Sequence, residues 1–162
     1  MPRGIPWPGS RQPAPIIERV GDAYRVNLGR VEQQVLLTAL DELRVMLANR
    51  DPATRRLFPT AYIDHPELDA EYQRLVNDEL MEGQFEALDV VERTVDGEVI
   101  DRSELEGWMR AINGTRLAIG TRLDVGEEPV EIAPDDPDLS LHLIYDFLTQ
   151  LLAVLIDTLS RD

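Results

Sequence analysis

Apolar residues recur at intervals of three and four along most of the chain, which is the period of an amphipathic helix. Short connections between helices favour antiparallel neighbours. The predicted fold is therefore mainly α, a four-helix bundle-like single domain. The pattern places its helices over about residues 30–50 and 66–93, from Asp101 through Arg116, and from Asp136-Pro137 to about Leu159.

A different pattern precedes the first helix, in the segment IIERVGDAYRVNL from Ile16 to Leu28. Gly21-Asp22 separates two short β-prone runs, and in the second run Tyr24 and Val26 alternate with polar residues. A turn pair between two such runs indicates a β-hairpin with one buried face. The prediction adds a small N-terminal β-hairpin to the helical bundle.

The beginning of the chain differs from the rest in composition. Residues 1–14 contain four prolines and are predicted to form a flexible proline-rich arm. The remaining residues, 15–162, have a length that suits one domain with a real core. We expect them to form a single helical domain with the N-terminal β-hairpin.

The third predicted helix has an unusually clear start. Asp101 and Glu104 have the spacing of a capping box, in which each side chain accepts a hydrogen bond from the other residue's backbone N–H. Ile100 and Leu105 stand where a hydrophobic staple belongs. The pattern predicts that this helix begins directly after Asp101.

The last predicted helix is apolar on most sides. It is therefore either the central helix of the bundle or an oligomer interface, and we expect a homodimer. A membrane-spanning helix needs about 20 nearly uninterrupted apolar residues, whereas Asp146, Gln150 and Asp157 interrupt this segment. The sequence therefore predicts a cytoplasmic protein without a membrane partner.

The charge is strongly negative and uneven. The 31 acidic residues outnumber 16 basic ones, all arginine, and give a net charge of -15. Residues 1–63 carry 9 arginines and 6 acidic residues, whereas residues 64–106 carry 3 arginines and 15 acidic residues. An acidic surface repels nucleic acid, so any DNA contact would come from the N-terminal third. It favours a basic partner surface instead.

The residues give little support to catalysis. The chain has no cysteine, which excludes disulfides, thiolate metal sites and cysteine nucleophiles. His65 and His142 lie in different predicted elements, and no serine has a nucleophile-elbow pattern. No segment matches a phosphate-binding loop or a dinucleotide fingerprint. We therefore expect a protein that is not an enzyme and has no cofactor.

One acidic segment, DHPELDAE from Asp64 to Glu71, could hold a hard cation weakly. Helical spacing places Glu67 and Glu71 on one face. Acidic residues are also stabilised at a helix N-terminus by the helix dipole, and this explanation accounts for the whole segment. We therefore predict no metal site here.

Three segments carry a resemblance to a known family: RRLFPTAYIDHPELDAEYQRL (Arg55–Leu75), WMRAINGTRLAIGTRLDV (Trp108–Val125) and YDFLTQLLAVL (Tyr145–Leu155). With the YRVNL strand, the resemblance covers about residues 20–160. The chain resembles an actinobacterial family of unknown function, also called the actinomycete oxidative stress regulator (AosR-like) family. Genes of this family often lie beside that of the ClpS protease adaptor. The resemblance implies transcription control linked to oxidative stress.

The resemblance also transfers motif positions to this chain. The candidate motif and interaction residues are Arg56, Phe58, Pro59, Tyr62, Glu71, Arg74, Trp108, Asn113, Arg116 and Arg122. Two positions differ from the family pattern, because Gly114 stands where an aspartate is usual and Phe147 where a tryptophan is usual. A chain without cysteine also cannot sense oxidants through thiols.

The sequence GTRL occurs twice between Asn113 and Gly126. Positions six apart on a helix differ by about 240°, so Arg116 and Arg122 do not share a face. Because anions prefer helix N-termini and this segment lies near a helix C-terminus, a structural role is favoured. We expect an arginine layer inside the bundle, with Glu71 pairing with Arg116 and a glycine helping to end the helix.

Three functions remain open. The preferred one is a non-catalytic regulatory protein acting through protein–protein contacts, with a sigma factor, RNA polymerase or a proteolysis component as its partner. The second is a direct DNA-binding transcription regulator. The third is a small-ligand-binding domain, which predicts a pocket where Arg56, Arg116 or Arg122 converge with Asn113.

Overall fold

The computed structural model describes residues 14–58, 64–126 and 131–161. Within these ranges the chain is mainly helical with a small N-terminal sheet, which confirms the predicted fold class. Pro59, Tyr62 and nearly all of the proline-rich arm lie outside the described residues. The elements are β1 (Ile17–Val20), β2 (Ala23–Val26), α1 (Arg30–Ala48), a 3-10 helix (Pro52–Leu57), α2 (Pro66–Thr94), β3 (Val99–Ile100), α3 (Arg102–Arg122) and α4 (Leu139–Ser160).

The predicted hairpin is present, with β1 and β2 antiparallel and Val20 opposite Ala23. Gly21 begins the two-residue turn with φ +62°, a conformation that glycine adopts without steric strain. Tyr24 and Val26 are both 2% exposed, as the alternating pattern indicated. The sequence analysis missed β3, which pairs with β2 and extends the hairpin to three strands. A two-residue strand is too short to show a period.

Helix α3 is the central helix, because it packs against α1, α2, α4, the 3-10 helix and β2. The expectation that the last helix could hold this position is wrong. Two glycines on α3 face neighbouring helices. A Cβ added at Gly107 would lie 3.4 Å from Val90 Cγ1, and one added at Gly120 would lie 2.9 Å from Tyr145 Cε2. Helix α4 thus approaches α3 at Gly120 more closely than a larger residue would allow, whereas the distance at Gly107 is an ordinary van der Waals contact.

Gly114, the position where the family pattern usually has an aspartate, is also buried on α3. The side-chain oxygen Oε1 of Gln84 lies 2.7 Å from where its Cβ would be. This oxygen is buried and has no hydrogen-bond partner among the described residues. In this chain the glutamine therefore fills the space that a side chain at position 114 would need.

Helix α4 contributes a narrow stripe to the core. Leu148, Leu151, Leu155 and Leu159 are buried, at spacings of three and four. Leu143 remains 60% exposed on the same helix. By length and composition alone, α4 is the one helix in the described ranges that could cross a membrane. Of its most apolar 18-residue stretch, 17% is buried in the fold.

The ends of α3 confirm one prediction and correct another. Asp101 and Glu104 form the complete capping box, so the helix begins where predicted. Its C-terminus does not use a glycine. Asp124 takes the left-handed conformation with φ +54°, and Val125 N–H donates to the Gly120 carbonyl in a Schellman arrangement. Aspartate tolerates this region better than most residues do, which explains how the helix ends without glycine.

Candidate functional site

Trp108, a family-motif residue, lies in the core. It is fully buried on α3, and its indole Nε1–H donates a hydrogen bond of 2.8 Å to Thr94 Oγ1 at the end of α2. A buried tryptophan needs such a partner for its N–H. Trp108 therefore joins two helices and does not present a contact surface.

Arg122 forms an ion pair with Asp51, with 3.5 Å between Nη2 and Oδ2. Asp51 also caps the 3-10 helix, because its Oδ1 accepts a hydrogen bond of 2.8 Å from Ala53 N–H. The pair connects the C-terminal end of α3 to the segment that follows α1. Arg122 is exposed and pairs with an acid that was not anticipated, so it does not belong to an arginine layer inside the bundle.

Arg116 does not pair with Glu71, and that expectation is wrong. Its Nε–H donates a hydrogen bond of 2.9 Å to Thr149 Oγ1, and its guanidinium carbon lies 5.1 Å from the ring centroid of Tyr145. Both partners are on α4, so Arg116 lies on the side of α3 that faces α4. Glu71 is exposed on α2. Helical spacing alone could not show which neighbour Arg116 faces.

A cleft of about 360 Å³ lies beside Arg116. Among the described residues, its polar side chains are Arg56 near the end of the 3-10 helix, Arg116 on α3 and Tyr145 on α4. We call it the arginine cleft, and the residues that complete its wall are Leu117, Gly120, Val125 and Gly126. The structure therefore brings together two of the three arginines that the ligand-binding hypothesis named. Arg122 and the exposed Asn113 do not line it.

The two arginines of this cleft differ in their partners from Arg25, Arg44 and Arg122, which pair with carboxylates. Within the described ranges, neither Arg56 nor Arg116 has a carboxylate within ion-pair distance. Glu127 and Glu128 follow the cleft residue Gly126 in the sequence and lie outside those ranges. The described side chains of the cleft therefore include two positive charges and no carboxylate, in a protein whose net charge is -15.

Sequence reasoning missed Tyr145 and Thr149 as members of this site. They lie four residues apart on α4, so they are neighbours on one helix face. Thr149 Oγ1 donates to the Tyr145 carbonyl oxygen at 2.9 Å, which leaves a hydroxyl lone pair for Arg116. Tyr145 opens the third family-like segment, which is the signal that could have drawn attention to it.

The remaining candidate residues do not converge on the cleft. Phe58 is half-buried and packs against the core. Glu71 and Arg74 are exposed on the first half of α2. Their positions leave them on the surface, where they are accessible to a partner.

A second feature is an apolar groove between α1 and α4, of about 360 Å³. Val31 on α1 is 73% exposed and Leu143 on α4 is 60% exposed, which is high for aliphatic side chains. We call this surface the α1–α4 groove, and its lining residues are Val31, Glu32, Val35, Ser140, Leu143, Ile144 and Phe147. Glu32 is the one charged residue among them.

Arg25, one of the N-terminal arginines that could form a basic face, and Arg44 of α1 both have acidic partners. Arg25 pairs with Glu18 at 3.5 Å and donates to the Gly97 carbonyl oxygen. Arg44 pairs with Asp89 and Glu92 of α2 at 3.0 and 3.1 Å. Partial burial lowers the pKa of Arg44, but the hydrogen bonds and charges of these two acids raise it overall. Their side chains thus join β2 to β1 and α1 to α2.

Metal-ligating side chains are also dispersed. No group of three or more His, Asp or Glu residues that could hold a metal ion occurs in the described part of the chain. The acidic start of α2 contains Glu67 and Asp69 in its first turn, next to the positive end of the helix dipole.

The fold is thus a mainly α domain with a three-stranded antiparallel sheet, an arginine cleft and an apolar groove. A family described as a domain of unknown function, DUF2017, matches residues 13–159, so the chain belongs to this family. No curated protein matches the chain. No solved structure matches it either.

Proposed function

We propose that this chain is a non-catalytic regulatory protein that binds another protein through the α1–α4 groove. The single observation that carries the proposal is the exposure of Val31 and Leu143 side by side with other apolar residues in that groove. Isolated exposed aliphatic residues are normal, whereas a groove lined by several of them is typical of an interaction site.

Charge indicates the chemistry of the partner. The chain has a net charge of -15, and Glu32 lies at the groove itself. A second copy of the chain would bring the same negative charge, which opposes association at low salt. An amphipathic segment with apolar anchor residues and flanking basic residues complements both features. We therefore favour a basic partner over the expected homodimer as the occupant of the groove.

We further propose that the regulation is transcription control linked to oxidative stress in the cytoplasm of an actinobacterium, with a sigma factor, RNA polymerase or a proteolysis component as the partner. The family-like segments support this reading. Because the chain has no cysteine, oxidation would be sensed by the partner and not by this chain. The exposed Asp146 and Asp157 of α4 oppose insertion of that helix into a membrane.

Two other functions have less support. Direct DNA binding needs a continuous basic surface, but Arg25 and Arg44 are engaged with acidic residues. Ligand binding at the arginine cleft is a separate property, which does not require the α1–α4 groove.

The decisive experiment captures partners from the native host with the full chain and then measures one purified candidate directly. Leu143→Glu places a charge in the groove without disturbing the core, because Leu143 is 60% exposed. The matched control is Leu75→Glu, on the part of α2 where Leu75 is 76% exposed. We expect Leu143→Glu to weaken binding of the purified partner at least 10-fold and Leu75→Glu to leave it unchanged.

Two outcomes would count against the proposal. Equal binding by both variants would show that the groove is not the contact surface. Sedimentation equilibrium that shows a dimer in the wild type and a monomer in Leu143→Glu would assign the groove to a second copy of the chain.

A further inference from the structure

We propose that the arginine cleft binds the phosphate group of a small phosphorylated molecule. This site is independent of the proposed partner-binding groove, because none of its lining residues belongs to that groove. The inference rests on the fixed geometry of Arg116, on the second cation supplied by Arg56 and on the shape of the cleft.

Arg116 is held in place by two contacts of its own, and a further hydrogen bond fixes its partner Thr149. The Thr149 hydroxyl donates to the Tyr145 carbonyl oxygen at 2.9 Å and accepts the Nε–H of Arg116 at 2.9 Å. The guanidinium lies 5.1 Å from the Tyr145 ring centroid, within the range of a cation–π contact. Only one of its five N–H donors is used by these contacts, and the other four have no acceptor within the described ranges.

Gly120 makes this arrangement possible. A Cβ at this position would lie 2.9 Å from Tyr145 Cε2, so a larger residue would displace the ring on which Arg116 rests. Gly120 and Tyr145 both line the cleft. The structure therefore orders the guanidinium before any ligand arrives, which lowers the entropic cost of binding.

Arg56, near the end of the 3-10 helix, adds a second positive charge to the lining of the cleft. In the described part of the chain, no carboxylate neutralises either arginine. Two cations and a tyrosine ring in one open cleft suit a doubly charged anion better than a single carboxylate. The volume of about 360 Å³ holds a phosphate with a small organic group attached.

The test is a titration of the isotopically labelled full chain, monitored by NMR signals of the backbone and of the arginine side chains. The probes are inorganic phosphate, glucose 6-phosphate and AMP, with acetate as the singly charged comparison. We expect saturable shifts at Arg116, Gly120 and Gly126 with at least one phosphate probe. Binding by glucose 6-phosphate or AMP but not by inorganic phosphate would show that the organic group contributes.

Variants separate this site from general charge effects. Arg56→Gln and Arg116→Gln should each weaken binding at least 10-fold. The matched control is Arg55→Gln, because Arg55 is an exposed arginine on the same 3-10 helix that does not line the cleft. Since Arg56 is exposed, its substitution leaves the fold intact and the test remains valid if Arg116→Gln unfolds.

Three results would overturn the proposal. One is the absence of saturable shifts with every phosphate probe up to about 10 mM. Another is equal weakening by Arg55→Gln. The third is binding that occurs only in the Glu127→Gln/Glu128→Gln variant, which would show that carboxylates of the chain itself satisfy the arginines.

Discussion

The indole Nε1–H of Trp108 donates a 2.8 Å hydrogen bond to the Oγ1 of Thr94 inside the core, where both residues are buried. The Thr94 hydroxyl in turn donates to the Val90 carbonyl oxygen at 2.6 Å, so it acts as donor and acceptor at once. The bond ties the middle of α3 to the end of α2. A residue of the family motif thus lies in the core and bonds to a neighbouring helix.

Thr94→Val is expected to destabilise the protein because it leaves the indole N–H of Trp108 without an acceptor. A buried unsatisfied donor costs about 1–3 kcal/mol. The control is Thr115→Val, since the buried Thr115 hydroxyl donates only to the Ala111 carbonyl oxygen of its own helix and no donor is orphaned. Urea denaturation, monitored by circular dichroism, gives the unfolding free energy of each variant. Equal losses of unfolding free energy would refute a special role for the Trp108 bond.

Gly120→Ala tests the close approach of α4 to α3. Because the new Cβ would lie 2.9 Å from Tyr145 Cε2, we expect a loss of about 1–3 kcal/mol from overpacking. Gly83→Ala on α2 is the matched control, since its Cβ meets nothing within 4 Å. That variant should gain up to about 1 kcal/mol from helix propensity. The two melting temperatures should therefore move in opposite directions, and a shared direction would contradict the packing argument.

Arg50→Gly tests the Schellman end of α1. Arg50 has φ +53°, and Asp51 N–H donates to the Met46 carbonyl oxygen across it. Glycine carries no steric penalty in this region, so the variant should gain about 1 kcal/mol. Ala48→Gly, inside the last turn of the same helix, should lose a similar amount. Thermal unfolding of both variants measures the difference, and a loss of stability in Arg50→Gly would show that its side chain contributes more than its backbone strain.

The two sides of α4 should respond differently to truncation. Leu148 is fully buried, so Leu148→Ala should cost about 2–5 kcal/mol through lost contacts and a new cavity. Leu143 is 60% exposed, and Leu143→Ala should stay within about 0.5 kcal/mol of the wild type. Chemical denaturation provides both values. A large loss for Leu143→Ala would mean that its side chain is covered within the protein itself.

The positions of the helices could be predicted closely from the sequence, because the spacing of apolar residues and the helix caps are local properties. The capping box of Asp101 and Glu104 placed the start of α3 correctly. The sequence did not predict the end of α3 correctly, since Gly120 lies inside the helix and Asp124 takes the left-handed conformation. A glycine in the sequence suggests where a helix could end in the left-handed conformation. The backbone hydrogen bonds at the helix end decide which residue adopts that conformation.

The sequence predicted only part of the candidate site. The arginines were found from the family-like segments, but Arg116 contacts Tyr145 and Thr149 instead of Glu71. Spacing along one helix shows which side chains share a face. It does not show which other helix lies against that face, because this depends on how all the helices pack together.

The sequence by itself determined the mainly α class, the hairpin, the capped start of α3 and the strongly acidic charge, since each depends on composition or on neighbours within a few residues. Only the tertiary structure decided that α3 is central, that Arg56 and Arg116 share a cleft, and that Val31 and Leu143 form an exposed groove. These features join residues that are far apart in the chain. Their relative positions depend on how the helices pack against one another.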